Sequence, residues 1–97
     1  MGTNFRILVH KNSHNLHLKL HGDFDGSSAR QLLNTISKLG GRSDSVFIHT
    51  AGLCDIQPMG CDIFQMNVSS LSRRFSEGII YTGAKAQLLA PTDSKIM

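Results

Sequence analysis

The chain has 97 residues, of which 40% are hydrophobic and 18% are charged, and its formal net charge is +3. This length and composition predict one folded domain over residues 1–97 and exclude an intrinsically disordered chain. No apolar run approaches the ~20 residues of a membrane span, and the first residues lack a signal-peptide pattern, so we expect a cytoplasmic protein without membrane insertion.

The basic residues are spread along the sequence rather than gathered in one stretch. The longest basic cluster is the pair Arg73–Arg74, and the chain has no Trp and a single Tyr, Tyr81. Nucleic-acid surfaces usually combine a concentrated basic stripe with stacking aromatic side chains. The sequence therefore predicts no nucleic-acid partner.

Cysteine and glycine patterns argue against a cofactor. Cys54 and Cys61 are seven residues apart and belong to no CxxC motif, which favours two reduced thiols over a zinc or redox site. The glycines form neither a GxGxxG nor a Walker A pattern, so the sequence contains no nucleotide-binding motif. We expect no cofactor.

The first two elements are predicted to be strands joined by a turn. Apolar and polar residues alternate from Phe5 to Lys11 and again from Leu16 to His21, which is the period of a strand with one apolar face. Residues 12–15 form a polar cluster typical of a turn. The pattern indicates an antiparallel hairpin that ends in a turn over residues 22–26.

A helix is predicted next. Asp25, Ser27 or Ser28 is suited to cap its start, and Gly40–Gly41 is suited to end it. Its apolar residues recur with helical spacing and form one stripe: Ala29, Leu32, Leu33, Ile36 and Leu39.

The middle of the chain predicts a strand, a loop and a second helix. Residues 45–50 are nearly continuously apolar, as in a central strand that is covered on both faces. Residues 51–57 are predicted to be a loop, and Pro58 suits the first turn of the following helix. The predicted inward stripe of that helix, with Met59 and Met66 beside it, is Ile63, Phe64, Val68, Leu71 and Phe75.

The last predicted elements are a strand at Ile79–Thr82 and a short helix at Ala84–Leu89. The core then covers about residues 5–90, and residues 91–97 form a flexible tail. The order β-β-α-β-α-β-α predicts an α/β fold, a mixed sheet with helices packed on it, in which crossovers make the later strands parallel.

Two stretches carry a family resemblance. LKLHGDFDGSSARQLL, residues 18–33, resembles the second strand, Gly-x-x-Asp turn and first helix of the STAS domain. VFIHTAGLCDIQPMG, residues 46–60, resembles the third strand, loop and second helix start of that family. STAS domains are named for sulphate transporters and bacterial anti-sigma-factor antagonists. The resemblance covers roughly residues 5–90 and implies the fold described above.

The sequence departs from the family at its regulatory motif. The family commonly has an Asp-Ser-Ser/Thr-Gly run, and here its four places are taken by Gln57, Pro58, Met59 and Gly60. In regulated members the second hydroxyl residue of the run accepts a phosphate from a partner kinase. Met59 has no hydroxyl, so we expect no phosphorylation at that place and docking that is not gated by phosphate.

The resemblance implies a non-enzymatic protein-interaction module similar to an anti-sigma-factor antagonist, active in transcription signalling. Its partner is expected to be an anti-sigma kinase-like protein; the alternative is a STAS subunit that binds the ATPase of an ABC transporter. The expected partner-binding residues are Asp25, Asp55, Gln57, Pro58, Met59 and Gly60. Met59 is either an apolar contact or an inward core residue. Many members of that family continue with a further strand and helix, so we expect an open sheet edge here, and a partner or a second copy in a homodimer is expected to cover it.

Two other groups of residues invite a chemical role. Asp23 and Asp25 form a carboxylate pair, but no nucleophile or base accompanies them, and a turn and helix-cap role is favoured, so no enzyme is predicted. His17 and His21 share a strand face with Lys19, whose positive charge opposes a metal ion. No metal is predicted.

His10 is expected across the hairpin from these histidines. His49, on the third strand, is expected to be a buried or half-buried, hydrogen-bonded histidine and not a catalyst.

Overall fold

Strands and helices alternate after an opening hairpin. The computed structural model of the chain describes residues 4–91 and 94–97. The elements are, in chain order, β1 (Arg6–Lys11), β2 (Asn15–Phe24), α1 (Gly26–Leu39), β3 (Ser45–Ile56), α2 (Pro58–Ser72), β4 (Gly78–Thr82), α3 (Ala86–Leu89) and β5 (Lys95–Ile96). The predicted order of seven elements is confirmed, and one short strand follows it.

The five strands form one mixed sheet in the order β1-β2-β3-β4-β5. β1 and β2 are antiparallel, whereas every later neighbouring pair is parallel. Each crossover moves one strand in the same direction along the sheet. Because such crossovers are right-handed, α1, α2 and α3 must lie on the same face.

The core lies between that face and the helices. Its strand side chains alternate along β2 and β3, and Leu16, Leu18 and Leu20 are fully buried there. Helices α1 and α2 contribute Ala29, Leu32, Ile36, Phe64 and Val68 to the same cluster.

The opposite face of the sheet carries no helix among the described residues. The prediction that the third strand is covered on both faces is therefore wrong. Phe47 and His49 alternate with the buried Val46 and Ile48 and are only half-buried on the uncovered face. Three crossovers in one direction leave one face of the sheet without a layer.

β2 and β3 continue further than predicted. The expected turn at residues 22–26 and loop at residues 51–57 are replaced over much of their length by paired strands, with Gly22 opposite Leu53 and Phe24 opposite Ile56. Two register shifts interrupt this pairing. Such irregularities displace the two-residue alternation, which is why the sequence pattern did not indicate a strand there.

The C-terminal residues pair with the sheet. Lys95 lies opposite Ile80 and Ile96 opposite Tyr81, and the backbone N–H of Met97 donates to the carbonyl of Tyr81 at 2.9 Å. The prediction of a flexible tail is therefore wrong for residues 95–97, and this strand covers part of the edge that was expected to be open. Residues 92 and 93, also in the predicted tail, lie outside the described residues.

Both long helices were predicted, and their ends follow from local chemistry. α1 stops before Gly41, whose φ of 47° is in the left-handed region that glycine adopts without a side-chain clash. α2 starts at Pro58, which has no backbone N–H and so loses nothing in the first turn. Neither these helices nor α3 combines the length and apolar character needed to cross a bilayer, within residues 4–91 and 94–97.

Candidate partner-binding surface

The end of β3 leads directly into α2. Gln57 is the single residue between them, with extended backbone angles. Its N–H donates to the carbonyl of Phe24, the last residue of β2, at 2.9 Å. This hydrogen bond holds the start of α2 beside the end of β2, where α1 also begins.

Gly60 brings the starts of the two helices into contact. It is buried, and a Cβ atom at this position would lie 2.7 Å from the backbone carbonyl oxygen of Asp25. A side chain there would collide with main-chain atoms, which cannot move aside as a flexible side chain does. Gly60 thus positions α2 against the chain at Asp25 and presents little surface of its own.

Asp25 caps α1, as predicted for one of three residues. Its carboxylate accepts a hydrogen bond from the backbone N–H of Ser28 at 2.9 Å and another from the Ser28 hydroxyl at 3.0 Å. The Ser28 backbone bond is the main cause that lowers the pKa of Asp25 below its ordinary value, against a smaller opposing effect of desolvation. The single proton of the Ser28 hydroxyl is shared between this carboxylate and the carbonyl oxygen of Asp23, which lies 2.8 Å from the hydroxyl oxygen. Both aspartates therefore belong to the helix start.

Four of the expected partner-binding residues are exposed together at this junction. Asp55 is the penultimate residue of β3, Gln57 and Pro58 follow that strand, and Met59 lies in the first turn of α2 with 67% of its surface exposed. We call these four residues the junction surface. The alternative in which Met59 turns inward as a core residue is wrong.

Helix α2 extends the apolar part of this surface. Met59, Ile63 and Met66 fall at i, i+4 and i+7, so they share one face of the helix. Met66 is 81% exposed, and Ile63 is half-buried against the start of α1, where its Cδ1 would lie 3.2 Å from a Cβ atom placed on Gly26. We call these three residues the methionine stripe.

The sequence placed Ile63 in the inward stripe and left Met66 beside it. A shallow groove of about 460 Å³ lies between the stripe and α1, lined by Arg30, Leu33, Asn34, Ile63, Met66 and Asn67. Ile63 follows Met59 by four residues and Met66 follows Ile63 by three. This helical spacing was the sequence signal that the three side chains share one face.

Hydroxyl groups near the junction differ in their access to solvent. Thr50 is fully buried, and its hydroxyl donates to the carbonyl of Thr82 at 2.8 Å. Ser28 is buried as well, whereas Ser27 is exposed. The hydroxyl of Ser27 is therefore accessible to a kinase, whereas that of Thr50 is not.

The cysteines are both free, with Cys54 exposed and Cys61 half-buried. Burial, and to a lesser extent the charge of Asp62, raises the pKa of the Cys61 thiol. The thiol is therefore less acidic than an ordinary cysteine and a poor nucleophile.

The histidines gather on the uncovered sheet face. His17 lies opposite His10 in the hairpin and shares its strand face with Lys19, as predicted. His49 is half-buried and hydrogen-bonded, which confirms that prediction: its Nε2 lies 3.0 Å from Nδ1 of His17 and its Nδ1 lies 2.7 Å from the hydroxyl of Thr82. Across the described ranges, no three His, Cys, Asp or Glu side chains are grouped closely enough to hold a metal ion.

Comparison with known proteins gives a fold but not a sequence family. No family model matches the chain, and no curated protein matches it. Among solved structures, a similar one is the crystal structure of an anti-sigma factor antagonist from Mycobacterium paratuberculosis. The chain has the fold of an anti-sigma factor antagonist. The TM-score is 0.63 over 86% of this chain and 71% of that antagonist, whose sequence is 14% identical.

Proposed function

We propose that the chain is a non-enzymatic protein-interaction module that binds a regulatory protein partner through the junction surface and the methionine stripe. The observation that carries this proposal is the exposure of Met59 at the point where β3 passes into α2. The fold shared with an anti-sigma factor antagonist supports an anti-sigma kinase-like protein as the partner.

The junction is built to hold apolar side chains outward on a rigid support. Gly60 fixes the start of α2, and Asp25 fixes the start of α1. A flexible thioether side chain adapts to irregular partner surfaces at small cost. Because the backbone under these exposed side chains is already rigid, it loses little conformational freedom when a partner binds.

Docking at this surface does not depend on a phosphate at Met59. A thioether cannot form a phosphoester, and Pro58 beside it has no hydroxyl either. The nearest hydroxyl of β3, on Thr50, is buried and already donates a hydrogen bond. The surface therefore keeps one charge state, whereas a phosphate would add about −1.5 to −2 charges.

The test compares three baits in parallel: the wild-type chain, Met59→Asp and Leu88→Asp. Leu88 is an exposed apolar residue of α3 and serves as the matched control, 55% exposed. A charge in the centre of an apolar contact must be desolvated, so Met59→Asp should lose the partner by a factor of about 100. Quantitative mass spectrometry of captured proteins measures the loss, and circular dichroism confirms that each bait is folded.

The proteins that Met59→Asp loses and Leu88→Asp keeps define the partner. A kinase-like regulator among them supports the proposed antagonist role, and a transporter ATPase supports the accessory-subunit alternative. Equal capture by all three baits would mean that the junction surface is the wrong one. Intact mass after incubation with a captured kinase and ATP should show no phosphate, and stoichiometric phosphate on Ser27 would contradict ungated docking.

A further inference from the structure

The uncovered side of the sheet has a composition of its own. The side chains that alternate with the buried leucines of β2 point away from the helices, and those of β1 and β3 opposite them share this side. We call this side the open face, and its basic members on β1, β2 and β3 are Arg6, His10, His17, Lys19, His21 and His49. It lies on the opposite side of the sheet from α1 and α2, so it is separate from the methionine stripe.

Histidines are concentrated on the open face. Four of the five histidines in the chain lie there, and the fifth, His14, is in the hairpin turn beside Asp44 at 3.4 Å. Arg6 and Lys19 add two exposed cations. Asp23, near the end of β2, carries a carboxylate and lies on the same side of this strand as His17, Lys19 and His21.

Three rings at the centre of the open face are in direct contact. The ring of His17 stacks on Phe47, with centroids 4.6 Å apart and planes at 7°. The rings of His17 and His49 are nearly parallel, at 5°, with centroids 5.3 Å apart. Since their nitrogens are 3.0 Å apart, these two rings meet edge to edge through a hydrogen bond.

This hydrogen bond limits the charge that the pair can carry. A neutral imidazole has one donor and one acceptor nitrogen, whereas a protonated imidazole has two donors. If both rings take up protons, two N–H groups and two positive charges face each other. His49 also faces Lys19 on β2, and its other neighbour, Thr82 on β4, is uncharged. Beyond His17, the opposite residue on β1 is His10, another base.

We propose that the open face is a second docking surface, for a protein segment rich in carboxylates, and that binding there strengthens as the pH falls. When both rings are protonated, their N–H groups repel one another. Carboxylates brought to Lys19 and the histidine pair would accept hydrogen bonds from these N–H groups. Binding then draws protons onto the histidines, and proton uptake on binding raises the affinity at lower pH. Exposed Leu8 and half-buried Phe47 offer apolar contact beside these charges.

The ring arrangement and the charges favour this occupant over two others. Phe47 and His17 present their ring faces to each other, so those faces are not free for nucleic-acid bases to stack on. A second copy of the chain, placed face to face, would bring Lys19 and the histidines against the same cations. A carboxylate-bearing segment complements the charge and needs no ring face.

The first test uses a labelled peptide of alternating glutamate and leucine, with a glutamine–leucine peptide and oligo-dT of equal length as comparison probes. Fluorescence anisotropy of the full chain should show binding of the glutamate peptide alone. Lys19→Glu should weaken it by about tenfold or more, because like charges oppose each other across an interface. Lys38→Glu, an equal charge reversal on α1, should change the affinity less than about twofold.

The second test concerns pH. The glutamate peptide should bind several-fold more tightly at about pH 5.5 than at about pH 7.5, on either side of the ordinary histidine pKa of ~6.5. His17→Gln should remove much of this difference, and His14→Gln should leave it as in the wild type. Near-ultraviolet circular dichroism, which reports fixed packing of aromatic rings, identifies any variant that has lost its fold.

Four results would overturn the proposal. They are no binding of the glutamate peptide at either pH, equal losses from Lys19→Glu and Lys38→Glu, tighter binding of oligo-dT, and a pH effect that His17→Gln leaves unchanged. None of them bears on Met59, so the docking proposed at the junction surface stands or fails separately.

Discussion

The two faces of the sheet are built from consecutive residues of the same strand. Along β2, Leu16, Leu18 and Leu20 are fully buried against the helices. Of the residues that alternate with them, His17 and His21 are half-buried and Lys19 is exposed. Because side chains alternate along a strand, one stretch of sequence serves both faces. The covered face holds the fold together, and the open face holds its ionisable groups at fixed spacing. Substitutions on the two faces should therefore have different consequences.

The largest difference is expected between neighbouring residues of β2. Leu18→Ala removes a fully buried side chain and should lower the free energy of unfolding by about 2–5 kcal/mol, through lost burial and the cavity left behind. Lys19→Ala, one residue away on the open face, should change it by less than about 0.5 kcal/mol. Urea denaturation followed by circular dichroism measures both. Similar losses for the two variants would mean that the faces are not distinct.

Gly60→Ala tests the close approach of the helices on the covered side. The added Cβ would lie 2.7 Å from the Asp25 carbonyl oxygen, so the helices must separate, at an expected cost of about 1–3 kcal/mol of unfolding free energy. Ser70→Ala, at an exposed position of the same helix, is the control and should be neutral or slightly stabilising. A neutral Gly60→Ala in urea denaturation would show that the starts of the two helices are not in close contact.

Asp25 allows a smaller, pH-dependent test. Asp25→Ala should lower the melting temperature more than Asp25→Asn, because Asn also caps helices. The folded-state pKa of Asp25 lies below its ordinary value, so the charged carboxylate stabilises the fold above the ordinary pKa of ~3.9 and loses this effect as the pH falls through the folded-state pKa. The difference between wild type and Asp25→Asn should therefore shrink at about pH 3. A difference that grows on acidification would contradict the cap.

The smallest effect is expected on the open face. Burial, and then the charges of His17 and Lys19, lower the pKa of His49. A histidine with a lowered folded-state pKa stabilises the fold fully above its ordinary pKa of ~6.5 and less as the pH falls below it. Wild type should thus be less stable at about pH 5.5 than at about pH 7.5. Lys19→Ala should reduce this loss without abolishing it, since burial remains, and Lys38→Ala on α1 should not alter it. The melting temperatures of the wild type and both variants at the two pH values measure this effect. An equal loss in all three would contradict the contribution of Lys19.

Much of the fold follows from local sequence patterns. The alternation in β1 and β2, the helical stripe of α1 and the position of Pro58 predicted the elements and their order. The resemblance at residues 18–33 and 46–60 pointed to the fold that the solved antagonist shares. These features depend on residues close together in the sequence, where the backbone period is directly visible.

The parts that were wrong depend on pairing between distant residues. Residues 51–56 pair with β2 through shifted register, and residues 95–96 are too few to show a period. The uncovered face of β3 follows from the direction of the crossovers and not from the apolar run at residues 45–50, which predicted cover on both sides. The contact of His17 with His49 joins residues 32 positions apart, and no spacing in the sequence indicates it.

The exposure of Met59 was left open by the sequence for the same reason. Helical spacing allowed the side chain either to join the core or to point outward, and the position of α1 decided between them. The chain at Asp25 approaches Gly60 so closely that the first turn of α2 is held over the start of α1, with Met59 outside.

The most direct measurement of the central claim is site-specific photo-crosslinking in the native complex. A photo-reactive amino acid replaces Met59 in one sample and Leu88 of α3, which is also exposed, in another, and each sample is irradiated with the captured partner. We expect a covalent adduct with the partner from position 59 and none from position 88. An adduct from position 88 alone, or equal yields from both positions, would contradict docking through the start of α2.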